Sequence, residues 1–145
     1  MLKPKIIAAL AVAALATPAL AHHSFAMFDT DKMFIWEGTV EKFEWSNPHV
    51  HLNVVVPDNA KDPRTVGHWD LEGASPSIMG RQGWSRLTYK RGDKVVAVGQ
   101  PLRDGTKGGS IWYVVKNGKR LYEDVNRNGG PGANGHGIPP GVVLP

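Results

Sequence analysis

Histidine is the residue type in this chain whose spacing suggests chemistry. His22-His23 follows Ala19-Leu20-Ala21, the small-x-small pattern that signal peptidase reads after an apolar run. Cleavage after Ala21 would place a free α-amine on His22. That amine and the ring Nδ1 of the same residue can chelate one ion, and nitrogen ligands of this kind favour Cu(II) among the divalent metals. A second group is Asn47-Pro48-His49-Val50-His51. Residues two apart on a strand share a face, so His49 and His51 would project together. If the next strand returns as a hairpin, His51 falls near Asp70, His49 near Glu72, and His68 beside Asn53. Three imidazoles and two carboxylates on one face suit a copper-like metal, because a ligating histidine hands its other N–H to a carboxylate. The candidate ligands are therefore His22, His23, His49, His51 and His68. The same residues also read as a solvated outer face of cross-strand polar pairs, and polar residues commonly follow a cleavage site.

Other chemistries find less support. Ser75 lacks the Gly-x-Ser-x-Gly setting of a hydrolase nucleophile, and no nucleophile–base pair is visible. There is no phosphate-binding glycine loop and no zinc-protease helix. Asp29 and Asp31 lack the rest of a calcium loop. Arg81 reads as an exposed helix arginine. The catalytic and cofactor-binding sets are empty.

Positioning these residues falls to a short chain. Lys3 and Lys5, the apolar run Ile6 to Ala16 and the break at Thr17-Pro18 make residues 1–21 a secretory signal. The run is too short to span a bilayer, which takes about 20 apolar residues. The mature chain would then begin at His22, in the periplasm or outside the cell, with no stable membrane insertion. Loss of Lys3 and Lys5 halves the formal charge of +4. The remaining cations are scattered singly among acids, which argues against a nucleic-acid partner. The chain has no cysteine, so it has neither disulfides nor a lipid-anchored cysteine, and five tryptophans point to a packed core.

Residues 22–37 form an aromatic segment with Phe25, Phe28, Phe34 and Trp36, expected to pack as an N-terminal extension. Residues 38–125 read as one domain. Thr39 to Trp45 is a first strand in which a bulge near Glu41-Lys42 brings Val40, Phe43 and Trp45 to one face. His49 to Val56 alternates cleanly, with Val50, Leu52, Val54 and Val56 inward. Val66 to Glu72 is a third strand with Trp69 and Leu71 inward. Ser75 caps a short helix with Pro76 at its first position; Gly83 ends it, and Trp84 packs it onto the barrel. Leu87 to Tyr89 is a candidate short bridge. Lys94 to Gln100 and Ser110 to Val115 are further strands, with Val96, Val98 and Trp112 or Tyr113 assigned to the core. Asn117-Gly118 signals a hairpin into Lys119–Tyr122. Residues 126–145, rich in glycine and proline, read as a disordered tail.

Three strands, a helix and two strands is the element order of an OB-type barrel. The fold expected is all-β with one short helix, a small OB-like antiparallel barrel. A β-sandwich would normally need more strands.

The start His22-His23-Ser24-Phe25-Ala26-Met27-Phe28-Asp29 resembles that of a family of small exported bacterial proteins of unknown function. So do Gly38-Thr39-Val40, Trp45-Ser46-Asn47-Pro48-His49, Glu72-Gly73-Ala74-Ser75-Pro76, Arg81-Gln82-Gly83-Trp84, Gly92-Asp93-Lys94-Val95 and Pro101-Leu102-Arg103-Asp104-Gly105. The resemblance spans roughly His22 to Tyr122. It implies export and no particular activity. The function expected is a non-enzymatic periplasmic binding or accessory protein, holding a copper-like ion through histidines. The alternative is a metal-free module that recognises a protein or a cell-envelope component.

Overall fold

A computed structural model describes residues 25–122. The expected signal peptide, His22, His23 and the Gly/Pro-rich tail lie outside the described residues. The chain forms β1 (Phe34–Glu44), β2 (His51–Val56), β3 (Gly67–Glu72), α1 (Pro76–Arg81), β4 (Lys94–Pro101), β5 (Gly108–Lys116) and β6 (Lys119–Tyr122), with single 3-10 turns at Phe25–Met27 and Pro63–Thr65.

β1 is long enough to pair antiparallel with both β2 and β4, one along each half of its length. β2 pairs with β3 and β4 with β5, both antiparallel. The two ends of this sheet meet where Asp70, Leu71 and Glu72 of β3 run parallel to Gly108, Gly109 and Ser110 of β5. The result is a closed five-stranded barrel with its one α-helix between β3 and β4, the OB-type arrangement. Glycine is needed at the seam. A Cβ on Gly109 would lie 2.7 Å from both the Gln100 carbonyl oxygen and the Trp36 ring. Among the described residues no helix is long and apolar enough to cross a membrane.

The core follows the alternation of the strands. Trp36, Val40, Leu52, Val54, Leu71, Ile111 and Val114 are almost wholly buried, and Phe34, Trp36 and Trp69 meet at edge-on or tilted angles. The bulge in β1 falls where the sequence places it, between Val40 and Lys42. β1 itself begins at Phe34, ahead of Gly38, so Phe34 and Trp36 are barrel core rather than part of an extension.

The inward face of β4 departs from expectation. Val95 and Ala97 turn into the barrel. Val98, Trp112 and Tyr113 instead join Met33 in a separate outer cluster, and Val96 is half-buried. Pairing with β1 sets this facing, since Ala97 stands opposite inward Trp36 and Val98 opposite Ile35. A run of three valines in four positions does not disclose its inward set.

Three smaller features also differ. Ser75 precedes α1 but makes no capping bond; its Oγ meets Ser77 Oγ at 3.1 Å. No bridge forms at Leu87–Tyr89. That stretch is a turn held by the Ser85 N–H donating to Thr88 Oγ1 at 2.7 Å, and Tyr89 is buried against Phe43 and Trp84. β2 starts at His51, yet Val50 still exchanges backbone hydrogen bonds with the Gly73–Ala74 corner beyond β3. The Asn117-Gly118 hairpin has positive φ at both residues, 52° and 71°, as a type I′ turn requires.

Candidate functional site

The outer face of β2 and β3 collects the histidines. Alternation turns Leu52, Val54 and Val56 into the barrel and leaves His51, Asn53 and Val55 outside; His49 lies half-buried one step before them. On β3, Trp69 and Leu71 go inward while His68 and Asp70 are exposed and Glu72 is half-buried.

The strand register differs by two residues from the one expected. His51 stands opposite Glu72, Asn53 opposite Asp70, and Val55 opposite His68. Side chains nevertheless reach diagonally. The His51 ring Nδ1 lies 3.0 Å from Asp70 Oδ1, and the Asn53 amide donates to the same oxygen at 3.0 Å. The Nδ1 of His49 contacts Glu72. The two expected imidazole–carboxylate pairs therefore form, along the diagonals of the ladder rather than directly across it.

His68 is not part of this group. In place of Asn53 it has Val55 as its neighbour, and its Nδ1 meets Glu41 Oε2 at 3.0 Å. Glu41 sits in the β1 bulge, where the extra residue re-aims a side chain. The bulge is legible in the sequence, and its consequence is that Glu41 joins the face. Glu44 was missed. It contacts Lys42 and adds to the field at His51.

Asp70 holds the His51 pKa above the ordinary histidine value through its hydrogen bond. Burial opposes this, and the charges of Asp70, Glu72 and Glu44 reinforce it. With histidines neutral, the face carries Glu41, Glu44, Asp70 and Glu72 against Lys42, so it is anionic. Such a surface suits cations and opposes phosphates. Among the described residues, no group of three or more histidine or carboxylate side chains is arranged to hold a metal ion.

The remaining candidates resolve into structure. Arg81 is exposed at the end of α1, and Trp84 packs into the core. Phe28 is buried and bridges to Leu102. Arg103 donates to the Ala26 carbonyl at 3.1 Å, which ties the N-terminal segment to the β4–β5 loop.

Among solved structures the chain is similar to a mitochondrial single-stranded DNA binding protein from S. cerevisiae, with 6% identity and a TM-score of 0.44 over 59% of this chain and 93% of that one. No curated protein matches the sequence. A family model matches residues 9–111, and the chain is a member of that family, DUF6152, a family of unknown function.

Proposed function

We propose that this chain is an exported, non-enzymatic binding protein of the periplasm whose ligand is a copper-like divalent ion, taken on the outer face of β2 and β3 by His49 and His51. One observation carries the reading: the paired contacts of the His51 Nδ1 with Asp70 and the His49 Nδ1 with Glu72, two residues apart on one strand face. A carboxylate at Nδ1 fixes the ring and its tautomer and makes Nε2 the coordinating nitrogen, the arrangement that metal-ligating histidines use. Two imidazoles leave an ion open to further ligands, which the His22 amine and ring, with His23, would supply after signal cleavage.

The test is a Cu(II) titration of protein that begins at His22, followed by calorimetry and by the copper EPR spectrum. The expected result is one bound ion with nitrogen couplings. Replacing His49 and His51 by alanine should lower affinity at least as much as the 10–100-fold typical of losing a supporting residue around a metal. One extra residue ahead of His22 should weaken binding by blocking the amine–ring chelate. Unchanged affinity in the double variant overturns the strand-face site. Unchanged affinity in the extended form removes the N-terminal share.

A second reading, a metal-free module for a protein or envelope component, draws on the anionic character of the same face. Four carboxylates on and beside β2–β3 favour a partner with clustered lysines or arginines. If the native form takes up no copper at micromolar concentration, a salt-sensitive complex with a lysine-rich peptide, lost in Asp70→Lys, would establish this reading in its place.

A further inference from the structure

We infer that the Ser85–Thr88 turn is a membrane-docking tip: Leu87 enters the interface of an anionic phospholipid bilayer while Arg81, Arg86, Lys90 and Arg91 meet its headgroups. This goes beyond the proposed metal site and does not rest on it. Leu87 is the most exposed large apolar side chain among the described residues, at 86%. A single exposed leucine is ordinary on a protein surface, but this one is held outward by its backbone. The Thr88 N–H donates to the Ser85 carbonyl at 3.0 Å, and the Leu87 N–H donates to Ser85 Oγ at 3.2 Å. The Ser85 N–H donates in turn to Thr88 Oγ1. Both flanks of the turn are anchored. Trp84 and Tyr89 are buried and meet edge-on at 4.9 Å, and the Lys116 ammonium donates to the Thr88 carbonyl at 3.0 Å. Leu87 could fold back onto the barrel only by breaking these bonds.

Charge identifies the partner. No acid occurs between Glu72 and Asp93, and the cations of that stretch are Arg81, Arg86, Lys90 and Arg91. All four are exposed. Asp93, which closes the stretch, is engaged by the Lys116 ammonium at 2.5 Å. The cations around the tip therefore face solvent with no acid interspersed, unlike the scattered charges elsewhere in the chain. An anionic lipid surface attracts such a cluster, and each lysine or arginine near it strengthens binding about fivefold. Long basic side chains also lay their stems along apolar surface while their heads stay in water, which suits a collar around an inserted leucine. Trp45 adds to the same end of the barrel. It is half-buried, its ring lies 6.0 Å from that of Phe43, and Phe43 packs against both Trp84 and Tyr89. Indole is favoured at the headgroup level of a bilayer. A convex apolar tip fits a fluid interface, which deforms around it, whereas a protein partner would have to offer a matching pocket. The contact is peripheral and reversible, because one side chain and a few charges supply it.

The test is co-sedimentation with lipid vesicles, some of phosphatidylcholine and phosphatidylglycerol in equal parts and some of phosphatidylcholine alone. The chain used begins at His22, because the apolar run Ile6 to Ala16 would itself seek lipid; it retains every described strand and turn. Binding is expected to the mixed vesicles, falling as salt is raised, with little to the neutral ones. Leu87→Asp should lower partitioning into the mixed vesicles about tenfold or more. Its unfolding midpoint should stay in place, since the side chain is 86% exposed. Arg86→Gln together with Arg91→Gln should lower partitioning about 25-fold, from about fivefold for each cation. Lys61→Gln removes a cation that is 93% exposed on the β2–β3 loop and should change binding by less than about twofold. Absence of binding to the mixed vesicles overturns the proposal. Binding that Leu87→Asp leaves unchanged also overturns it, as does binding that Lys61→Gln weakens as much as Arg86→Gln alone. Either result makes the attraction a property of diffuse charge rather than of this turn.

Discussion

His51 shows how one pairing sets a measurable property. Its pKa is raised, first by the hydrogen bond to Asp70 and then by surrounding carboxylates. A raised folded-state pKa means that protonation favours the folded chain. This contribution is complete below the unfolded value of about 6.5 and is lost as pH rises through the folded pKa. Asp70→Asn removes both the ionic acceptor and its charge. The His51 titration, followed by NMR, should then move down toward the ordinary value. The stability gap between wild type and variant should be widest in mildly acidic solution and close above the His51 pKa. An unmoved His51 titration would show that Asp70 is not its partner in solution. Copper binding has the opposite sign, since imidazole must lose its proton before it ligates; uptake should fall as the solution is acidified through the same range.

At the scale of the element, β2 gives the sharpest contrast. Leu52 has no exposed surface, whereas Val55 is half-buried on the outer face. Leu52→Ala removes buried methyl groups and leaves a cavity, so it should cost about 2–5 kcal/mol. Val55→Ala should cost less than about 1 kcal/mol, since its site already opens to solvent. Equal shifts of the denaturation midpoint would mean the facing is wrong. α1 offers a complementary check. A serine that caps a helix costs about 0.5–2 kcal/mol when replaced by alanine. Ser75 makes no capping bond, so Ser75→Ala should fall within about 0.5 kcal/mol of wild type in chemical denaturation. These cases also mark what the sequence could disclose. Strict alternation in Val50-His51-Leu52-Asn53-Val54 identifies inward and outward residues, and the break between Val40 and Phe43 locates the bulge. Register was not legible, because a slip of two residues keeps every side chain on its face. That is why the diagonal His51–Asp70 pair was anticipated while the neighbour of His68 was not. The inward set of β4 was illegible for a related reason: Val95, Val96 and Val98 all have the right chemistry, and only the pairing with β1, which sets Ala97 opposite inward Trp36, decides among them.

For the whole molecule, the question is whether processing and folding are compatible. The barrel and everything that closes it lie between Phe28 and Tyr122. The first described turn, Phe25–Met27, is tied to the β4–β5 loop by the Arg103 N–H donating to the Met27 carbonyl at 2.9 Å. The proposed cleavage after Ala21 falls ahead of every described strand and turn. On that proposal the mature chain would begin with His22, His23 and Ser24. Expression of the full sequence in a bacterium should yield, in the osmotic-shock fraction, a protein whose intact mass corresponds to a start at His22. Replacing Ala19 and Ala21 by bulky charged residues should hold the chain at its full-length mass with the membrane fraction, because the peptidase requires small side chains at those positions. The barrel should form in both species, with the same tryptophan emission and the same unfolding midpoint, since neither substitution touches it. A soluble, full-length, uncleaved wild-type chain in the cytoplasm would defeat the export reading, and the His22 amine would no longer exist as a metal ligand.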